Sequence, residues 1–166
     1  EALDASLAAR GYEIIDPVTL YLCETAHLRP ASLPRAQSYC IWEPLHIMRE
    51  IWAAGGIQEP RIALMHRVQT PKTALLARSG DTPAGVGFLA LDGEIAMLHA
   101  VEVLPSYRRR GVAKKLMAQA AKWAEDHGAK YMALMTTRDN QAANGLYSSL
   151  GMRPVGHYHY RIKDTA

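Results

Sequence analysis

A strand-like segment, a basic glycine-containing turn and an amphipathic helix follow one another between residues 95 and 127, and this succession constrains the fold most. Ile95–Val103 is apolar and is predicted to form a buried strand. The turn Arg108-Arg109-Arg110-Gly111-Val112-Ala113 comes next, and Val112–His127 has apolar residues at helical spacing. Because the N–H groups of such a turn and the positive end of the helix point the same way, we predict a site for a phosphorylated ligand.

The other patterns in the chain predict a mixed α/β fold. Helices are predicted at 2–9, 41–54, 61–68 and after Asp139-Asn140, either of which can be the N-cap; strands are predicted at 12–23, 73–78, 84–91, 94–104, 130–137 and 155–162. Residues 27–38, with two prolines, are predicted to be a loop. Turn signals join the strands between 73 and 104 into an antiparallel meander, and strand, helix, strand from 94 to 137 predicts a parallel crossover.

Composition limits the classes of protein to which the chain can belong. The 166 residues, 49% hydrophobic and 21% charged, fit one globular domain over 1–166. A net charge of +3 is too small to indicate nucleic acid, and no apolar run is long enough to predict a membrane span. Cys23 and Cys40 have neither metal-ligand nor disulfide spacing, so we expect reduced thiols in a cytoplasmic protein.

Two nucleotide-binding motifs and a metal site are the alternatives to the basic turn. Gly85-Val86-Gly87-Phe88-Leu89-Ala90 has the glycine spacing of a dinucleotide fingerprint, but it lies in a predicted strand and no helix opens on it. A P-loop is excluded because no Gly-Lys-Ser/Thr sequence occurs. His157 and His159 share a strand face without a third ligand, so no metal is expected.

Two motifs in sequence order resemble those of one large enzyme superfamily. Arg108-x-x-Gly111-x-Ala113 is similar to the acetyl-CoA signature of the GNAT superfamily of N-acetyltransferases, and its lead-in Val101–Tyr107 resembles that family's strand and loop. The later run Asn140-x-x-Ala143-x-x-Leu146-Tyr147-x-x-Leu150-Gly151-Met152 resembles the family's second landmark. The resemblance covers residues 72–162 well and 1–70 poorly. It implies a mostly antiparallel mixed sheet flanked by helices, with splayed central strands that hold acyl-CoA.

The resemblance also implies which residues bind acetyl-CoA, the acyl-donor substrate. The pyrophosphate would lie on the backbone amides of the turn, the pantetheine arm along the preceding strand, Asn140 beside that arm, and Tyr147 near the sulfur. The implied binding residues are Val101, Glu102, Val103, Arg108, Arg109, Arg110, Gly111, Val112, Ala113, Lys114, Asn140 and Tyr147.

Acetyl transfer to an amine needs a base for the amine, donors for the tetrahedral intermediate and a donor for the leaving thiolate. Tyr147 is a candidate for the last of these roles, although packing in a helix's apolar face would equally explain it. His99 is the best candidate for the base, because an imidazole titrates near working pH. Strict alternation would put Met97, His99 and Val101 on one side and Glu102 on the other, unless a bulge intervenes.

The sequence therefore predicts an N-acetyltransferase that acts by direct attack of a primary amine in a ternary complex. The alternatives are a non-catalytic acyl-CoA-binding or sensing module and a scaffold that has lost its ligand. The acceptor stays open between a small molecule and a peptide amine; no nucleic-acid or membrane partner is expected, and homodimerisation is left open. Leu7–Leu22 also resembles the end of such a domain, which raises the hypothesis of a degenerate upstream copy.

Overall fold

Seven strands and six α-helices make up the part of the chain that the structure describes, residues 2–28 and 37–163 of a computed structural model. The helices are α1 (Ala2–Ala9), α2 (Thr25–Leu28), α3 (His46–Ala54), α4 (Glu59–Arg67), α5 (Val112–Asp126) and α6 (Gln141–Ser149). The strands are β1 (Glu13–Glu24), β2 (Ser38–Ile41), β3 (Lys72–Ser79), β4 (Thr82–Asp92), β5 (Ile95–Val103), β6 (Tyr131–Thr137) and β7 (Arg153–Ile162). The strands form one mixed sheet in the order β2-β3-β4-β5-β6-β1-β7, as the predicted fold class requires.

The chain divides into two compact units. The first, here called the central unit, comprises Leu22–Leu134; the second, the terminal unit, comprises Glu1–Tyr21 with Met135–Ala166. In the central unit β2, β3, β4 and β5 pair antiparallel in succession, and β5 pairs with β6 in parallel. The meander and the parallel crossover predicted from the sequence are therefore present.

Helices cover both faces of the central unit's sheet. On one face, α3 and α4 bury Trp52, Met48 and Ile62 against alternate residues of β3 and β4. On the other face, the buried stripe of α5 packs on β3 and β4, and Gln119 donates a hydrogen bond to Sγ of Cys40 on β2 at 3.2 Å. Period-two burial on the strands and helical spacing on α5 produce this arrangement.

The predicted helix at 41–54 is wrong in its first turn. Ile41 ends β2, where it pairs with Ala74, and the helix begins only at His46, after Pro44. Strand pairing of the aromatic and β-branched residues before Pro44 outweighs their place in a helical pattern. The predicted loop at 27–38 is helical to Leu28 and extended from Ser38, and the remainder of it lies outside the described residues.

The terminal unit places an N-terminal strand between two C-terminal ones. Within it β1 lies between the end of β6 and β7, and the Arg138 N–H donates to the Pro17 carbonyl at 2.8 Å. The helix α1 is attached through Asp4, which accepts a hydrogen bond from the Arg161 guanidinium and lies 2.7 Å from His159 Nε2. Sequence patterns predicted both strands, but nothing in their periodicity indicates that β1 inserts between β6 and β7.

Candidate active site

The basic turn has the backbone geometry of an anion cradle. After the short 3-10 turn Pro105–Tyr107, both Arg109 (φ 62°) and Gly111 (φ 77°) adopt left-handed conformations, and Gly111 is the N-cap of α5. No side chain caps this helix, so the first N–H groups of α5 are left for a ligand. A Cβ at Gly111 would meet no atom within 4 Å. Open space beside free amides at a helix N-terminus fits a pyrophosphate.

The arginine side chains of the turn have different contacts. Arg108 donates from Nε to the Val103 carbonyl at 3.1 Å and from Nη2 to Glu102 Oε1 at 3.2 Å, so it ties the turn to the end of β5. The Arg110 guanidinium lies 5.5 Å from the ring centre of Tyr107. Arg108 is thus an internal anchor whose side chain is already engaged by protein atoms.

Two glycines of β4 allow α5 to reach the sheet. A Cβ at Gly85 would lie 2.7 Å from Val112 Cγ1, at the first residue of α5, and one at Gly87 would lie 3.4 Å from Leu98 Cδ1. The glycine run that mimics a dinucleotide fingerprint is thus part of β4, and its function is close packing. Gly85 places the start of α5 directly over the end of β5.

A bulge interrupts β5 where the acetyl-CoA arm is expected. Phe88 faces His99 and Val86 faces Glu102, so two residues of β5, Ala100 and Val101, stand opposite Gly87 alone. Ala100 has a φ of 51°, a conformation that costs an alanine about 1–2 kcal/mol. Before the bulge, β5 pairs in parallel with β6 from Ile95 with Tyr131 to Leu98 with Leu134.

The bulge changes which residues of β5 share a face. Because cross-strand partners lie on one face, His99 and Glu102 both lie on the face of Phe88 and Val86, toward α3 and α4. The expectation from strict alternation that Val101 lies on the side of His99 is wrong. Val101 lies 3.8 Å from the Cβ position of Gly87, on the opposite face. The extra residue therefore puts His99 and Glu102 on one face.

The side chain of Trp52 holds the bulge in place. Its indole Nε1 donates to the Ala100 carbonyl at 2.8 Å from a fully buried position in α3. Gly55, the C-cap of the same helix, has no side chain, and the Glu102 carboxylate fills the space that one would occupy. A Cβ at Gly55 would lie 2.4 Å from Glu102 Cδ. Gly55 is a residue that the sequence did not single out, since a helix-ending glycine has many structural explanations.

The imidazole of His99 is kept in its neutral form. Burial is the main cause that lowers the pKa of His99, and the positive charge of Arg61 on α4 lowers it further. A neutral imidazole at physiological pH has a free lone pair and can accept a proton. The environment of His99 is thus suited to a general base.

A cavity of about 370 Å³ lies between the α3–α4 connection and the bulge. It is lined by Gly56, Ile57, Gln58, Pro60, Arg61 and Ala100. Its walls are mostly apolar, with one amide and one guanidinium. The cavity opens beside the strand residue that follows His99 and is large enough for a small organic molecule.

In the terminal unit the two residues of the second motif are built into α6. Asn140 is the N-cap, and its Oδ1 accepts from the Ala143 N–H at 3.1 Å. Asn144 stabilises the same helix start by donating to the Asn140 carbonyl at 2.8 Å and accepting from the Tyr21 hydroxyl at 2.8 Å. The capping function of Asn140 predicted from the sequence is confirmed, and its amide NH₂ group remains for a further acceptor.

Tyr147 is a buried residue of α6. It is 5% exposed, its ring centre lies 5.8 Å from that of Tyr21, and burial raises its pKa to about 12. A phenol with this pKa stays protonated at every physiological pH. Tyr147 can therefore donate a hydrogen bond, and its burial is equally consistent with the packing explanation.

Neither cysteine has the environment of an activated nucleophile. Burial raises the pKa of Cys23 to about 11, and burial also raises the pKa of Cys40. Both are free thiols. Of the two histidines considered for a metal, His159 is engaged by Asp4, while His157 is exposed. No helix among the described residues is both long and apolar enough to cross a membrane.

The bulged end of β5, the basic turn and the uncapped N-terminus of α5 thus follow one another in the order that the family resemblance predicts. The model of the Acetyltransferase (GNAT) family matches residues 40–152, and the chain belongs to this family. The match begins in β2, well before the region that carries the sequence resemblance. The recognition of the family and the predicted fold class are both confirmed.

Three relatives illustrate the similarity. An uncharacterised N-acetyltransferase, YobR, from Bacillus subtilis is 26% identical over 60% of this chain, and the alignment spans 40% of the length of that protein. An aminoglycoside N(6')-acetyltransferase type 1 from Acinetobacter haemolyticus is 28% identical over 76% of this chain and 90% of its own. The solved structure of an aminoglycoside N-acetyltransferase in complex with CoA has a TM-score of 0.59 at 20% identity, over 77% of this chain and 99% of its own.

Proposed function

We propose that the protein transfers an acetyl group from acetyl-CoA to the primary amine of a small molecule. The observation that carries this proposal is the uncapped N-terminus of α5 behind the left-handed Gly111, next to the bulged end of β5. The helix start offers amides to a pyrophosphate, and the family resemblance implies that the pantetheine arm lies along the end of β5.

The binding residues of the proposal are those that the family resemblance implies. The amides of residues 109–114 would hold the pyrophosphate, and the backbone of residues 101–103 would hold the arm. Arg108 would act indirectly, because its guanidinium already binds Val103 and Glu102. The proposed contributions of Asn140 and Tyr147 rest on the motif resemblance together with the free NH₂ group and the protonated phenol described above.

The proposed chemistry is direct attack. The neutral imidazole of His99 takes a proton from the ammonium of the acceptor, and the free amine attacks the thioester carbon. A backbone N–H of residues 101–103 donates to the oxyanion. As the intermediate collapses, the C–S bond breaks and the attacking nitrogen releases its second proton to solvent, which leaves a neutral amide and the CoA thiolate. Two thiols with raised pKa values give no support to a covalent acyl-cysteine route.

Tyr147 is proposed to stabilise the leaving thiolate by a hydrogen bond. Its pKa of about 12 lies well above the value of about 8.5 that is ordinary for a thiol, so full proton transfer would be uphill by about 5 kcal/mol. A hydrogen bond to the thiolate requires no such transfer. The thiolate can take its proton from solvent after release.

The relatives support a small-molecule acceptor, since several are named for aminoglycosides. The cavity beside the bulge, with a volume of about 370 Å³, is the proposed acceptor site. The two free thiols also support the expectation of a cytoplasmic location.

An acetyl-CoA-dependent amine panel, read as release of free thiol, tests the proposal. We expect thiol release that depends on both acetyl-CoA and an amine, with mass spectrometry showing the acetylated amine. Binding of acetyl-CoA with no acceptor-dependent thiol for any amine would instead favour the non-catalytic sensing module. Absence of both binding and release would favour a scaffold without a ligand.

A further inference from the structure

The charges around the acceptor cavity are unevenly paired. Glu59, at the start of α4, lies 3.5 Å from the guanidinium of Arg49. Glu102, below the α3–α4 connection, lies 3.2 Å from the guanidinium of Arg108. Glu59 and Glu102 thus each already have an arginine partner.

Arg61 is the positively charged residue of the cavity lining. It lines the cavity from the first turn of α4, is exposed to solvent, and has no carboxylate within ion-pair distance among the described residues. No acidic side chain lines the cavity with it. A polycationic amine would meet a positive charge at this wall, whereas an anionic group would meet an unpaired guanidinium.

The remaining lining determines what else the acceptor can carry. Ile57, Pro60 and Ala100 provide an apolar surface, and Gln58 provides one amide group. Arg61 and Ala100 line the same cavity, and Ala100 directly follows His99 in β5. One compact molecule could therefore reach the guanidinium with one end and the imidazole with the other.

We propose that Arg61 selects the acceptor by binding a carboxylate, so that the substrate is a small amine that also carries a carboxylate, such as an amino acid with a short apolar side chain. This inference rests on the proposed function, because it assigns the substrate class of the same site. In this arrangement the carboxylate pairs with Arg61, the apolar side chain lies on Ile57 and Pro60, and the amine is directed to His99. Arg61 is a specificity residue and takes no part in proton transfer.

The test compares three forms of one acceptor: an amino acid, its carboxamide and its decarboxylated amine. Wild-type protein should acetylate the amino acid with a kcat/KM about ten-fold above that of the carboxamide, the value expected for one charge-assisted contact. The amine of the carboxamide is the less basic of the two, so a larger share of it is unprotonated. Amine basicity therefore biases the comparison against the expected result.

Two substitutions on one helix separate specificity from stability. Measured well above the pH at which His99 is protonated, Arg61→Gln should raise KM for the amino acid about ten-fold and leave kcat/KM for the carboxamide within two-fold of wild type. Arg67→Gln removes an exposed arginine from the last turn of the same helix and should change neither substrate. Equal kcat/KM for amino acid and carboxamide in wild-type protein, or an equal loss for both in Arg61→Gln, would overturn the inference.

Binding measurements keep the inference separate from the proposed activity. If no amine is acetylated, the proposed function fails, and calorimetry of the same three compounds with the CoA-saturated protein decides the role of Arg61. Binding of the amino acid about ten-fold tighter than the carboxamide, lost in Arg61→Gln, would support the carboxylate site. Equal affinities, or no binding of any of the three, would overturn it.

Discussion

At the scale of single residues, the proposed chemistry depends on two groups whose protonation states are set by burial. His99 and Tyr147 are both shifted by desolvation, but in opposite chemical senses: the imidazole loses its proton more easily, and the phenol keeps its proton more firmly. Both residues are therefore neutral at pH 7. A neutral base for the amine and a neutral donor for the thiolate are the states that direct transfer needs.

Replacement of Tyr147 by phenylalanine should lower kcat and spare acetyl-CoA binding. A hydrogen bond to a charged group is worth about 1.5–3 kcal/mol, so kcat should fall about 10- to 100-fold. KM for acetyl-CoA should stay within two-fold, since the aromatic ring and its packing are kept. Tyr131→Phe, at an exposed position of β6, is the matched control. An unchanged kcat would leave Tyr147 with a packing role only.

The pH profile reports on His99. Because the pKa of His99 is lowered, its protonated form accumulates only below the ordinary value of about 6.5. We therefore expect kcat/KM to fall on the acid side of that value, a decrease called the acid limb of the profile. Removal of the Arg61 charge should move this limb to higher pH. His99→Gln should remove the limb along with most activity, whereas His46→Gln, at an exposed position of α3, should change neither. A limb that persists in residual His99→Gln activity would assign it to another group.

At the scale of the elements, the bulge in β5 stores strain that Trp52 helps to hold. Ala100 is left-handed at φ 51°, a conformation available to glycine at little cost. We expect Ala100→Gly to be stabilising by about 0.5 kcal/mol, because relief of about 1–2 kcal/mol exceeds the added freedom of the unfolded chain. Chemical denaturation measures the difference.

The control for Ala100→Gly lies in the same strand. Ala96 is fully buried in the regular part of β5, and Ala96→Gly should be destabilising by about 1 kcal/mol or more. Opposite signs for the two substitutions would identify backbone strain as the cause. A loss of stability in both would mean that the left-handed residue carries no measurable strain.

The ion pair that attaches α1 to β7 has a pH dependence of its own, at lower pH than that of His99. The Arg161 guanidinium is the main cause that holds the pKa of Asp4 well below its usual range, with His159 adding to it. Its contribution to stability is therefore present above the ordinary carboxyl value of about 3.9 and is lost as the pH falls further. Asp4→Asn should lower Tm slightly at pH 7, and the gap to wild type should close in acid.

A surface pair provides the comparison for Asp4→Asn. Asp81 lies 2.9 Å from Arg78 in the β3–β4 turn, fully exposed to solvent, and Asp81→Asn should leave Tm nearly unchanged. A pH-independent difference between Asp4→Asn and wild type would mean that the carboxylate charge is not what attaches α1.

At the scale of the whole molecule, periodicity and turn chemistry predicted most elements but not their three-dimensional arrangement. The helix α5, its glycine N-cap and the capping by Asn140 follow from local signals that act within a few residues. The bulge opposite Gly87 does not follow from local signals, because the pairing register of β4 with β5 is decided by contacts between strands. The insertion of β1 and the charge of the cavity wall likewise depend on which distant segments meet, so Arg61 could not have been singled out.

Binding of acetyl-CoA should stabilise the fold as a whole, since a ligand that binds only the native state adds RT ln(1 + [L]/Kd). At a concentration of 100 Kd this is about 2.7 kcal/mol, which should raise Tm by about 5–10 °C in a chain of this size. Gly111→Asp puts a side chain and a negative charge into the anion cradle and should abolish the rise. Gly80 is also left-handed, at φ 60°, with open space around it, so Gly80→Asp has the same backbone cost and should keep the full rise. Loss of the rise in both variants, or in neither, would contradict the assignment of the Gly111 turn as the pyrophosphate site.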